Sequence, residues 1–314
     1  MSFRRVIRGV AATVAATVAV GATLGATVAP VSAASTKKTG VVAAFYPLAW
    51  VAEQVGGERV AVTNLTPAGA EPHDLELTTR QRDAIEDAGL VIVMGSGFQP
   101  AVEKAAESRD ANTVEMLAEL PVGASGKKVA HEGEEDPDAL DPHVWLDPAL
   151  MERIVDETAT ALVKADRKNA ATYQANASAL NGKLAALDAR YTAGLAACVR
   201  TLIVTSHDAF GSLANAYGLR QEGVAGLSPD AEPNPKRLAE LTDLVEEKGV
   251  TTIFTEELVA PRIAQTLARE AGGLKTDTLN PLEGLTSTEI KAGDDYIAVM
   301  DRNLARLRTA LGCR

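Results

Sequence analysis

Three of the four histidines in this 314-residue chain stand in alike short settings. They are His73 in Glu71-Pro72-His73-Asp74, His143 in Asp141-Pro142-His143-Val144-Trp145-Leu146-Asp147, and His207 in Thr205-Ser206-His207-Asp208. Neutral imidazole is the commonest protein ligand for transition metals and suits zinc. Each of the three has a carboxylate nearby: Asp74, Asp141 or Asp147, and Asp208. Such a group can accept the second ring N–H of a metal-bound histidine and fix its orientation. Taken singly, each histidine reads as a loop residue that caps or packs locally. Taken together they read as one metal site assembled by the fold.

The elements around them follow an α/β pattern. Short apolar runs at 41–45, 59–65 and 90–94 predict strands, with helices over 48–55 and 79–88 between them. The pattern resumes after residue 200, with strands at 201–204 and 250–254 and helices over 208–217, 235–248, 261–271 and 294–311. Between the halves, Tyr173, Ala177, Leu180, Leu184, Leu187, Tyr191 and Leu195 recur every three or four residues. That stripe predicts a single helix across 169–197, about 40 Å long at 1.5 Å per residue. The expected architecture is therefore two α/β lobes, each built on a mainly parallel sheet with flanking helices, joined by one rigid helix. The boundaries read as 34–165, 166–198 and 199–314. His207 then follows a strand at its carboxyl end, His73 lies in the turn after the strand ending at Leu65, and His143 precedes a helix beginning near Asp147-Pro148. Ligands of open α/β sheets collect beyond the carboxyl ends of strands, so two facing lobes would pool their crevices.

Residues 1–33 read as a secretory signal peptide. Arg4, Arg5 and Arg8 precede an uncharged Ala/Val/Thr/Gly stretch, and Val31-Ser32-Ala33 supplies small residues at cleavage spacing. An uncleaved membrane anchor is the other reading; with no cysteine near Ala33, a lipid anchor is not expected. Cleavage would take the net charge from −11 to −14. A balance so acidic argues against nucleic acid as a partner. The only cysteines, Cys198 and Cys313, would meet an oxidising compartment, where a disulfide is expected and two buried thiols are the alternative. Residues 131–141 carry six carboxylates around the fourth histidine, His131, and read as a solvated acidic loop or a weak metal scavenger.

Four ordered segments carry a resemblance: Gly69-Ala-Glu-Pro-His-Asp74, Asp141-Pro-His-Val-Trp-Leu-Asp-Pro148, Thr205-Ser-His-Asp-Ala-Phe-Gly211 and Leu279-Asn-Pro-Leu-Glu-Gly284. Together they are similar to the zinc/manganese-type solute-binding proteins of bacterial ABC importers. The resemblance covers the whole chain after residue 33, including the joining helix and a cysteine pair like that of several members. It implies two four-stranded α/β lobes joined by a long helix, one metal at the lobe interface, little hinge opening, and partners in an ABC permease and its cytoplasmic ATPase. Zinc-type members have histidine at the position of His207, where many manganese-type members have a carboxylate. Many members also place an aspartate where this chain has Asn280, which leaves the fourth ligand open between a water, Asn280, Glu256 and Asp277.

Zn²⁺ is the expected cargo and Mn²⁺ the second choice, because three imidazoles suit a borderline-soft ion. Affinity should fall below about pH 6, where free histidine protonates. A three-histidine zinc hydrolase is the rival function, although no HExxH or other recognised hydrolase motif appears. An adhesin-like metal-binding protein is a third reading. A monomer is expected, and a metallochaperone is a conceivable further partner.

Overall fold

The computed structural model describes residues 38–109, 112–120, 140–229 and 235–314. The expected signal peptide and most of the acidic segment, His131 included, lie outside them.

Two parallel four-stranded sheets form the frame. The first pairs β1 (Thr39–Ala43), β2 (Val60–Asn64), β3 (Leu90–Val93) and β4 (Thr113–Glu115) in the order β2-β1-β3-β4. The second pairs β5 (Leu202–Thr205), β6 (Arg220–Gly223), β7 (Thr252–Thr255) and β8 (Lys275–Thr278) in the order β6-β5-β7-β8. Every pairing is parallel, with Val41 opposite both Val62 and Leu90, and Val204 opposite both Glu222 and Ile253. The two orders are the same, so the lobes repeat one topology with no repeat in their residues. Central strands β3, β5 and β7 are buried at every position, as a sheet covered on both faces requires.

Helices α1 (Tyr46–Gly56), α2 (Thr79–Asp87), α3 (Pro100–Glu107), α4 (Met116–Glu119) and α5 (Pro148–Ala165) belong to the first half. Helix α6 (Ala170–Leu195) leads to the second, which carries α7 (Gly211–Ala216), α8 (Pro235–Glu247), α9 (Arg262–Glu270), α10 (Ser287–Ala292) and α11 (Tyr296–Leu311). Local chemistry starts several of them. Thr78 with Gln81, and Thr286 with Glu289, form reciprocal caps on α2 and α10. Asp147 caps α5 through the Ala149 N–H, with Pro148 in the first turn.

The seven residues of the α6 stripe are the seven buried positions of that helix. They pack against α1, α5 and α11. Tyr191 donates to the Met300 carbonyl on α11 and Asn176 to the Val55 carbonyl on α1, so α6 is tied to the first and last of the described helices. One apolar core runs from β1 and β3 through α5 and α6 into Ile203, Phe210, Phe254, Leu282 and α11. A separate, smaller cluster lies under α8 and α9. A shared apolar core between two sheets disfavours wide hinge motion. Cys198, just past α6, is disulfide-bonded to Cys313, just past α11. No helix among the described residues is long and apolar enough to cross a membrane.

Candidate metal centre

His73, His143 and His207 come together. They arrive from the β2–α2 loop, from the turn before α5, and from the carboxyl end of β5. Their rings stand 5.3 to 6.1 Å apart, centroid to centroid. The fourth member of the group is Glu283, in the loop after β8. Its Oε1 lies 3.4 Å from His73 Nε2, 3.3 Å from His143 Nε2 and 3.1 Å from His207 Nε2. One donor atom from each of the four lies within 4.8 Å of all the others. Bonds of 2.0–2.1 Å in a tetrahedral zinc site place neighbouring ligand atoms about 3.3 Å apart, and the three separations between Glu283 and the imidazoles are of that size. Glu283 Oε2 is buried and accepts no hydrogen bond from the described residues, which leaves it capacity for a cation.

Two rings are held from behind. Asp141 Oδ1 accepts from His143 twice, from the backbone N–H at 2.9 Å and at ring Nδ1 at 2.8 Å. Glu256 stands behind His207, its Oε1 accepting the backbone N–H at 3.2 Å and its Oε2 lying 2.7 Å from Nδ1 as a close ion-pair contact. With Nδ1 protonated and beside a carboxylate, each Nε2 lone pair faces the centre. His73 is placed by Glu71, whose Oε1 accepts its backbone N–H at 3.0 Å, and by Phe98, whose ring meets it edge-on at 4.4 Å.

The site is almost wholly buried. The side chains of His143, His207 and Glu283 are 0% exposed and that of His73 is 10% exposed, so the way in runs past His73. Glu71, 17% exposed and 3.9 Å from His73 Nε2, stands beside that opening. Burial pushes the His73 pKa down, and the charges of His143 and His207 push the same way, against Glu283. Burial also opposes charge on the other two rings, but Asp141 and Glu283 raise His143, and Glu256 and Glu283 hold His207 well above the ordinary imidazole value. Burial would raise Glu283, yet the three imidazoles keep it well below the usual carboxylate range.

The residues left open for the fourth corner are placed as follows. Asn280 turns its side chain away from the imidazoles, its Oδ1 accepting the Leu282 N–H at 2.7 Å and its Nδ2 donating to Glu289 at 3.1 Å. Glu256 supports His207 Nδ1 from behind. Asp277 faces Arg306 at 3.6 Å and accepts the Thr278 N–H. The carboxylate facing all three Nε2 atoms is Glu283, three residues past Asn280. Leu282 adopts φ 57°, and this left-handed step reverses the chain and brings Glu283 back to the cleft. Glu283 was present in the Leu279–Gly284 motif, but a position-by-position match to an aspartate pointed to Asn280. Among the neighbouring carboxylates, Asp141 supports its histidine as expected. Asp208 accepts the Gly223 N–H, Asp147 caps α5, and Asp74 is exposed with its N–H turned to Glu71.

Known proteins of similar sequence and fold bind zinc by name. The zinc-binding lipoprotein AdcA of Streptococcus pneumoniae (strain TIGR4) is 38% identical over 278 residues, covering 86% of this chain and 55% of AdcA. The chain thus spans about half the length of the first curated relatives it matches. The high-affinity zinc uptake system protein ZnuA of Bacillus subtilis is 36% identical over 282 residues, covering 87% of this chain and 88% of that protein. The crystal structure of the Zn(II)-bound ZnuA-like domain of S. pneumoniae AdcA superposes with a TM-score of 0.71 at 36% identity, covering 88% of this chain and 99% of that domain. Residues 41–310 match the family described as ZnuA, zinc-uptake complex component A, periplasmic. The chain belongs to that family.

Proposed function

We propose that this chain is an exported capture protein that binds one Zn²⁺ between its lobes and delivers it to an ABC permease driven by a cytoplasmic ATPase. His73, His143, His207 and Glu283 are the ligands in this reading, with Asp141 and Glu256 orienting two of the rings. The observation that carries it is the convergence of three Nε2 atoms on one buried carboxylate oxygen at 3.1 to 3.4 Å. Two zinc-named relatives and a Zn(II)-bound structure of similar fold support the choice of ion. Three imidazoles and one carboxylate suit zinc over manganese, which prefers an oxygen-rich shell.

A catalytic zinc site keeps a coordination position open for water and a pocket for substrate. Here Glu283 fills the fourth corner and only the His73 edge reaches solvent, which argues for binding over hydrolysis. No feature of the described residues favours the adhesin reading. The lobes divide at 34–165 and 199–314 with 166–198 between them. Removal of residues 1–33 delivers the protein as a monomer to the periplasm or the outer face of the membrane, where a metallochaperone could load it.

Elemental analysis with chelator competition on the purified protein tests the reading. One zinc per chain, bound tightly and without turnover of ester or phosphate substrates, is expected. Absence of zinc binding, or hydrolysis lost on His207→Ala, would overturn it.

A further inference from the structure

Glu283 reaches the imidazoles because the three residues before it are fixed from elsewhere in the fold. Asn303, in the middle of α11 and 0% exposed, grips both backbone polar groups of Asn280. The Asn280 N–H donates to Asn303 Oδ1 at 3.0 Å, and Asn303 Nδ2 donates to the Asn280 carbonyl at 2.7 Å. An amide buried between Val299, Met300, Leu304 and Leu307 is costly unless it is satisfied, and these two bonds satisfy it. The next carbonyl, Pro281, accepts the Trp145 indole N–H at 2.8 Å. Trp145 lies two residues past His143, and its own carbonyl accepts the Tyr296 hydroxyl from the first turn of α11. Leu282 follows in its left-handed conformation, which persists only where the surroundings over-determine it. Glu283 leaves that turn.

We propose that α11 sets the fourth corner of the metal site: Asn303, and Trp145 acting across the lobes, are positioning residues whose hydrogen bonds to Asn280 and Pro281 hold Glu283 on the three imidazoles. This rests on the reading that the cluster binds zinc. Neither side chain is a ligand. Both act on the backbone just before Glu283, and Trp145 also ties that backbone to the segment carrying His143. The separation between a first-lobe imidazole and a second-lobe carboxylate is thereby fixed before the ion arrives.

Asn303→Ala and Trp145→Phe test the proposal in the full chain, with zinc affinity measured by chelator competition and folding by circular dichroism. Loss of a group that orients a metal ligand typically lowers affinity 10- to 100-fold, and that loss is expected for each variant. In a Glu283→Gln background the same substitutions should lower affinity less than about twofold, because the group they position has already lost its charge. Co²⁺ bound to the variants should show altered d–d bands, a coordination change that loosened packing alone does not produce. If Asn303→Ala does not fold, Trp145→Phe carries the test, because it removes only the indole donor to the Pro281 carbonyl and keeps an aromatic ring in the core. Wild-type affinity in the variants, or losses that add in full to that of Glu283→Gln, would overturn the positioning role. Failure of the wild-type chain to bind zinc would instead overturn the functional reading beneath it.

Discussion

Glu256 holds His207 at two points, accepting its backbone N–H at 3.2 Å and lying 2.7 Å from ring Nδ1. The carboxylate fixes the tautomer and aims Nε2 at Glu283, 3.1 Å away. Glu256→Ala is expected to lower zinc affinity 10- to 100-fold with the stoichiometry unchanged. Competition titration of the variant checks this, and unchanged affinity would show that His207 needs no support.

The pH dependence of binding follows from the same contacts. Glu256, Glu283 and Asp141 raise His207 and His143 above the ordinary value of 6.5. Zinc must therefore displace protons at neutral pH, and affinity should start to fall above pH 6.5 as the solution is acidified, earlier than free histidine predicts. Calorimetry in two buffers of different ionisation enthalpy should detect proton release at pH 7. In the metal-free protein the raised histidines contribute stability that is complete below pH 6.5 and lost as pH rises through their folded values. Glu283, held low, contributes stability that is present above its unfolded value of 4.5 and lost as pH falls through its folded value. Unfolding curves of the apo protein between pH 5 and 9 should register the histidine contribution as a decline toward the alkaline end, least visible once zinc is added.

Gly211 admits Asp141 to its place. A Cβ at residue 211 would lie 2.7 Å from Asp141 Oδ2, the carboxylate that orients His143. Gly211→Ala should therefore cost about 1–3 kcal/mol of stability by overpacking and weaken zinc binding through a displaced Asp141. Thermal unfolding and zinc competition of the one variant measure both effects; a stable variant with intact affinity would show that the lobes yield at this contact.

The Cys198–Cys313 bond closes a sequence separation of 115 residues and ties the end of α11 to the end of α6. The chain-entropy relation assigns a loop of this length about 4–5 kcal/mol. Reduction should lower the melting temperature with zinc stoichiometry retained, because the bond joins the ends of α6 and α11 and neither cysteine is among the four proposed ligands.

The sequence was most informative where burial imposes a period. All seven apolar positions of α6 follow from spacing alone, because a helix buried on one side repeats every three or four residues. The three histidines were legible because their settings are alike and lie in the loops that border predicted strands and helices. Edge strands β4, β6 and β8 were not: Thr113–Glu115, Arg220–Gly223 and Lys275–Thr278 are polar, and parallel pairing to a buried neighbour makes them strands. Glu283 was hidden for a different reason. Its place depends on a left-handed Leu282 and on bonds from Asn303 and Trp145, distant in sequence, which no local pattern reveals.

Anomalous diffraction at the zinc edge from crystals of the zinc-loaded chain tests the central claim most directly. The account predicts a single site with Nε2 of His73, His143 and His207 and an oxygen of Glu283 at about 2.0–2.2 Å. A zinc ion completed by water or Asn280, with Glu283 outside bonding distance, would contradict it.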